Sequence, residues 1–311
     1  MIPKKRVKGR HPKVFFRWTE YIFARSFVAF LSIIPVTVSY LIGMQIGRLA
    51  WMLLAERRSV VRSNLKVFKA WLKANRDENN YQLKNDFLEY ATKEVFLRCG
   101  GNILSSFSFA ALPHEQRLKK IEFVGLDVLE SAIGKGRGVV LLVAHMGPWE
   151  AIPSAISILI QNLGSQLGAI YRPLNNPLIE SWYRSEREKQ GLRLFNRKDE
   201  FNQAFKFLKG GGVLALLADQ RVKTGEKSEF FGQPAMTTPL VGLLSKRVNA
   251  PVVSLTLGYD HSCFLKMHFR LVNYEEAKTR GDYAKKTNLE LERIISTDVT
   301  NAFWLHRRFL T

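Results

Sequence analysis

The residues of this chain with the richest chemistry are His145 and Glu150, a histidine and a carboxylate separated by four residues, with Gly147 between them. A neutral imidazole takes a proton from an alcohol near neutral pH. A carboxylate on its other ring nitrogen fixes the tautomer and stabilises the imidazolium that forms. His145 and Glu150 are candidates for that dyad. No Ser or Cys stands beside them as a nucleophile, so the simplest use is direct: the base activates an acceptor hydroxyl, which attacks an activated acyl group held alongside. The alternative, on spacing alone, is a half-buried histidine closing a strand and an ordinary glutamate in the first turn of a helix.

Three further side chains join the candidate site. Arg172, within Tyr171-Arg172-Pro173, presents a planar fork of donors suited to a phosphate or a developing oxyanion, or else is a solvated loop arginine. Asp219 and Gln220 either position the acceptor or a neighbouring loop, or cap a helix. Backbone N–H groups near Gly147 add donors for an oxyanion. Gly210-Gly211-Gly212 reads as a helix stop and tight turn, since no Gly-Lys-Ser/Thr follows it. The only cysteines, Cys99 and Cys263, are far apart and in no ligand-like spacing. A disulfide framework or zinc site is therefore not expected, and neither a metal nor a cofactor enters the reading.

These residues need a sheet to hold them. Val139 to Ala144 is a continuous apolar run, rich in Val and opened by Gly138, which suits a strand covered on both faces. Gly147 and Pro148 then turn the chain into a helix start, where Glu150 is favoured by the helix dipole. Similar strands are expected at Ile121 to Val124, Gln166 to Tyr171, Leu192 to Phe195, Val213 to Ala218, Val252 to Leu257 and Phe264 to Leu271, with helix-like segments between them. The alternation predicts an α/β fold with a mostly parallel sheet flanked by helices. His145, Arg172, Asp219 and Gln220 would all leave the carboxyl ends of strands, where open α/β sheets build their sites. Phe230-Phe231-Gly232 reads as an apolar turn, and Ala235 to Pro239 as a helix start with Thr at the cap; together they either wall an acyl pocket or belong to the core.

The N-terminal third is different. Met1 to Arg17 holds seven Lys or Arg and no acid, and Phe27 to Met44 carries no charge, with Pro35 in its middle. That length permits a membrane span, a kinked segment or a re-entrant hairpin on one leaflet, or a buried core helix. Basic residues flank it on both sides, so the positive-inside rule sets no orientation. Glu56 to Leu72 and Tyr81 to Leu97 read as helices joined by a polar loop from Asn75 to Asn80. The expected layout is a basic arm and membrane anchor or re-entrant helix in residues 1–54, a helical membrane-proximal part in 55–115, and an α/β core in 116–311. Phe303 to Phe309 mixes aromatic and basic residues, as a segment at a membrane interface does, or docks on the core as a terminal helix.

With Lys+Arg 47 against Asp+Glu 27, the net charge of +20 favours anionic partners, phospholipid headgroups or nucleic acid. Against nucleic acid, the positive charges are spread along the chain and the aromatics lie in apolar runs, not on a stacking platform. A hydrophobic content of 46% excludes a disordered chain. A non-enzymatic basic protein binding anionic membrane or RNA is the competing class.

Taken in order, the hydrophobic N-terminal segment, the His145-x4-Glu150 box, Tyr171-Arg172-Pro173, Asp219-Gln220, Phe230-Phe231-Gly232 and Trp304-x-His306-Arg307-Arg308 resemble the lipid A biosynthesis acyltransferases, which are related to the glycerolipid O-acyltransferases. The resemblance implies acyl transfer from acyl carrier protein, or sometimes acyl-CoA, to a hydroxyl of an anionic lipid A precursor at the cytoplasmic face of the bacterial inner membrane. Relatives that acylate a lysophospholipid, a glycolipid or an ornithine lipid share the dyad, so those acceptors stay open.

Overall fold

The computed structural model describes residues 12–75, 86–259 and 263–310. In chain order the elements are α1 (Pro12–Ile33), α2 (Val36–Leu53), α3 (Ala55–Asn75), α4 (Phe87–Ala111), α5 (His114–Leu118), β1 (Ile121–Val124), α6 (Leu126–Gly134), β2 (Val139–Val143), α7 (Ile152–Asn162), β3 (Leu167–Tyr171) and α8 (Pro177–Lys189). They continue as β4 (Leu192–Asn196), α9 (Phe201–Lys209), β5 (Val213–Leu217), β6 (Glu226–Phe230), β7 (Gln233–Thr237), α10 (Leu240–Val248), β8 (Val252–Tyr259), β9 (Leu265–Val272) and α11 (Arg280–Ile295).

All seven strands expected from the apolar runs join one sheet, in the order β1-β9-β8-β2-β5-β3-β4. Neighbours pair in parallel except β8 with β9, so the α/β class with a mostly parallel sheet is correct. The central strand explains the uninterrupted Val and Leu run. Val140 and Leu142 point into a core shared with α3, α4, α10 and α11, while Val139, Leu141 and Val143 point into a second core with α6 and α7. Every residue of β2 is fully buried, and burying each such side chain contributes about 1.5–3 kcal/mol.

One pair of strands was not foreseen. β6 and β7 form an antiparallel hairpin outside the main sheet, turning on Phe231 and Gly232, both with positive φ (49° and 69°), as a two-residue hairpin turn of the primed kind requires. A phenylalanine is an uncommon choice there. Its ring is fixed between Phe68 and Trp71, and its N–H donates to Glu292 Oε1 at 2.5 Å, which compensates the strained backbone. The helix expected near Thr237 and Thr238 begins at Leu240, whose N–H is accepted by Thr238 Oγ1.

At the N-terminus the uncharged run breaks at Pro35, which has no N–H to continue a helix, giving α1 and α2 in place of one straight span. α2 is long and apolar enough to cross a membrane, and only 22% of it is buried. Its contact with α4 is made by glycines. A Cβ on Gly43 would lie 2.3 Å from the Gly100 carbonyl oxygen, and one on Gly47 would lie 2.2 Å from that of Phe96, so the two helices cross backbone to backbone. The same requirement corrects the expected end of α4 near Leu97: the helix runs through Gly100 and Gly101 to Ala111, because packing against α2 outweighs the helix-breaking tendency of the pair. The outward side of α1 and α2 carries Phe16, Phe23, Ile33, Leu41, Leu49 and Leu53, all exposed. The basic residues from Met1 to Arg10, most of the loop from Asn75 to Asn80 and the expected helix start at Tyr81 lie outside the described residues.

Candidate active site

The site begins where β2 ends. The chain leaves the sheet through Ala144 and turns at Gly147 with φ of +58°, where a Cβ would sit 2.7 Å from the Leu257 carbonyl oxygen of β8. Only glycine fits this turn. The closing segment of the chain then fastens the loop: Phe303 N–H donates to the His145 carbonyl at 2.8 Å, and Gly147 N–H donates to the Asn301 carbonyl at 3.0 Å. The second bond corrects an expectation, since the Gly147 N–H is committed to Asn301 and is no donor for an oxyanion.

His145 stands with its ring edge-on to Trp149 and beside Phe303. Its Nδ1 meets Asp219 Oδ1 at 2.8 Å. The carboxylate on the ring nitrogen is therefore Asp219, not Glu150 as the box spacing suggested. Register explains the pairing. Val143 of β2 lies opposite Leu217 of β5, and His145 and Asp219 each follow two residues later. Two neighbouring parallel strands thus release their polar groups at the same level. With Nδ1–H donating to Asp219, Nε2 is the nitrogen available to a proton from the cavity, a tautomer inferred from this contact.

The charges reinforce each other. Burial pushes the His145 imidazolium toward losing its proton, but the Asp219 charge and hydrogen bond outweigh this, with Glu150 adding to them, and the pKa is raised above the usual histidine value. Asp219 is almost fully buried, which works to raise its carboxyl; the charge and hydrogen bond of His145, with His306 behind, overcome it and hold the pKa down to about 2.

Glu150 is engaged elsewhere. Its Oε2 accepts from Arg187 Nη2 and from the Tyr183 hydroxyl, both on α8, while Arg187 Nη1 donates to the Glu150 carbonyl at 2.8 Å. The Arg187 side chain is 5% exposed. Glu150 lies in the short 3-10 turn Trp149–Ala151, from which its side chain reaches Tyr183 and Arg187 on α8. Sequence reasoning missed Arg187: α8 reads as a charged surface helix, and nothing local distinguishes one of its arginines from another.

A cavity of about 550 Å³ opens beside the pair, lined by His145, Glu150, Arg172 and Gln220 together with apolar side chains that include Leu194, Leu216 and Leu240. Four of the six expected site residues thus face one space. Asp219 supports it from behind His145, and Gly147 shapes the turn. Arg197 also lines the cavity and was not foreseen. Asn176, the cap of α8, donates to the Arg17 carbonyl and to Glu20 of α1, so a cavity wall is tied directly to the N-terminal apolar helices.

The closing segment, expected at a membrane interface or docked on the core, docks on the core. Trp304, Arg308 and Phe309 are buried, and Arg308 donates to the Met236 carbonyl, Thr237 Oγ1 and Asn288 Oδ1 with its guanidinium over the Phe230 ring. Burial lowers the Arg308 pKa to about 10, opposed by the charge of Asp219. His306 stacks on Phe303 and faces Phe303 O with its Nδ1, and burial, the largest influence, lowers its pKa. The stacked His306 and the three hydrogen bonds of Arg308 make this segment a brace for the loop that carries His145.

Sheet, cavity and N-terminal helices together describe an α/β protein with a His–Asp pair at the carboxyl ends of two interior strands and an apolar helical face ahead of it. Residues 2–311 match the bacterial lipid A biosynthesis acyltransferases, and the chain belongs to that family. It is 24% identical over 270 residues to lipid A biosynthesis acyltransferase 2 of Shigella flexneri, covering 86% of this chain and 79% of the relative. Against two Escherichia coli proteins, the lipid A biosynthesis palmitoleoyltransferase and lauroyltransferase, identity is 23% and 22%, with 97% and 100% of this chain and 93% and 96% of the relatives covered.

Proposed function

We propose that this protein moves a fatty acyl chain from a thioester, acyl carrier protein or acyl-CoA, to a hydroxyl of a lipid A precursor, anchored at the cytoplasmic face of the bacterial inner membrane. The observation that carries the reading is the His145–Asp219 pair at the wall of a largely apolar cavity. His145 Nε2 takes the proton of the acceptor hydroxyl as its oxygen attacks the thioester carbonyl, and Asp219 balances the imidazolium. The tetrahedral intermediate collapses by breaking the carbon–sulfur bond. The departing thiolate takes the proton from Nε2, leaving ester, thiol and neutral histidine. Glu150 adds negative charge beside the imidazolium, while Arg187 holds it in place. Arg172 and Gln220 contact substrate from the cavity wall, Arg172 as a binder of phosphate or a stabiliser of the oxyanion. The apolar lining takes the acyl chain, and the outward apolar side of α1 and α2 is covered by lipid.

The test is acyl transfer by the purified protein in detergent from labelled acyl carrier protein to a lipid A precursor, compared with lipid mass spectrometry of a deletion strain. Transfer to the precursor, with loss of one acyl chain from lipid A in the deletion strain, supports the reading. Normal lipid A together with a missing acyl chain on a lysophospholipid, glycolipid or ornithine lipid product replaces the acceptor.

A further inference from the structure

Arg172 and Arg197 occupy a pair of positions that proteins normally keep free of like charge. β3 and β4 run in parallel with Tyr171 opposite Asn196, and the Arg197 N–H donates to the Tyr171 carbonyl at 3.0 Å, so the two arginines are the next neighbours past the last paired residues. Both line the cavity that holds His145. Like charges at adjacent positions of neighbouring strands are unfavourable, though both side chains are exposed and water screens them.

Among the described residues no carboxylate bonds directly to either guanidinium; the acids close to them in sequence or on the cavity wall accept from other donors. Glu180 accepts from the Tyr171 hydroxyl and the Leu174 N–H. Glu200 accepts from Arg184 and the Asn196 N–H, and Asp199 from Asn196 Nδ2. Glu150 is held by Arg187 and Tyr183. Among the described residues neither the Arg172 nor the Arg197 guanidinium has a side-chain or carbonyl partner. Two forks without a protein partner on the wall of one cavity form a cradle for a tetrahedral dianion.

We propose that Arg172 and Arg197 together bind a phosphate group carried by a substrate, fixing that substrate in register with His145. The inference rests on the acyl-transfer reading above, adds to it a second arginine, and assigns the pair to phosphate and not to the oxyanion. A phosphate reaches the cavity from either of two sources, the acceptor lipid or the phosphopantetheine arm of the donor.

The experiment uses the full-length protein in detergent, as wild type and as Arg197→Gln, Arg197→Lys and Lys198→Gln. Lys198 is exposed, adjacent in sequence and not among the cavity-lining residues, so it reports general charge loss. Each protein is assayed with a phosphorylated lipid A precursor and with the same lipid after phosphatase treatment. In a second arm, acyl-CoA is compared with an acyl-pantetheine that lacks phosphate. For Arg197→Gln the KM of the phosphate-bearing substrate should rise about tenfold or more, with a much smaller change in kcat, and the difference from wild type should vanish on the phosphate-free counterpart. The arm in which this happens names the source. Arg197→Lys should fall between, keeping charge but losing the fork, and Lys198→Gln should match wild type. Binding of inorganic pyrophosphate, measured by calorimetry, should weaken about tenfold in Arg197→Gln. Wild-type KM values in both arms, or a loss that persists in full without phosphate, would overturn the arginine pair while leaving acyl transfer standing. Absence of transfer by wild type, with pyrophosphate binding that depends on Arg197, would overturn the acyl-transfer reading and keep the pair.

Discussion

Two carboxylates lie near His145, and the structure uses them in opposite ways. Asp219 is buried behind the ring and, among the described residues, its only side-chain partner is the imidazole, the group that gains and loses a proton in the proposed reaction. Glu150 lies on the cavity wall with its charge opposed by Arg187, a permanently charged and buried guanidinium. On the proposed mechanism the difference separates a charge that chiefly serves the reaction from one that chiefly serves the architecture. Loss of the first should appear in rate, and loss of the second mainly in stability.

Substitutions can break that contrast. The largest effect belongs to the group both carboxylates serve: His145→Ala should lower the initial rate of acyl transfer by about 10²–10⁴ or more while circular dichroism shows an unchanged fold. A folded variant with wild-type rate would return His145 to the role of a strand-closing residue. Asp219→Asn comes next, with a loss of about 10²–10³, because the amide can still occupy the space but no longer balances the imidazolium. Glu150→Gln should cost about tenfold or less in rate. Its larger consequence is a lowered melting temperature, since a buried Arg187 loses its counter-charge. Arg187→Met removes the other half of the pair and should destabilise the fold by about 1–3 kcal/mol, less than a fully buried pair would, because Glu150 keeps access to water. If Glu150→Gln lost more rate than Asp219→Asn, the two roles would have to be exchanged.

The same residues show how far the sequence could be read. Apolar runs marked all seven strands of the main sheet to within one residue at each end, apart from the last two residues of β8, because a strand covered on both faces cannot hide its Val and Leu content. The box at His145 and Glu150 was legible as a motif. The partner of His145 was not, since Asp219 is 74 residues away and comes close only through the β2–β5 register. A usable signal existed: two apolar runs of equal length, each ending in a polar residue at the same distance from the last strand position. Arg187 and Arg197 gave none, as a helix with several arginines and a turn rich in charge look alike from outside and inside the fold. The hairpin of β6 and β7 was hidden because Phe231-Gly232 lacks the Asn or Asp that normally announces a two-residue turn. At the N-terminus the apolar run had the opposite meaning from those in the sheet. Its side chains face outward along α1 and α2, and the glycines that look like helix breakers are the contact with α4.

The central claim, that Asp219 rather than Glu150 governs His145, is tested most directly by the pH dependence of kcat/KM. His145 must be neutral to act as the base, so activity should rise with pH through its pKa, and the raised value places that inflection above the ordinary 6.5 in the wild-type protein. In Asp219→Asn the charge that opposes burial is gone and any hydrogen bond left to the ring is to a neutral amide, so the inflection of the residual activity should move to lower pH. In Glu150→Gln it should move only slightly, because Glu150 contributes the smallest of the influences on the ring. A large downward shift in Glu150→Gln with an unmoved inflection in Asp219→Asn would contradict the account.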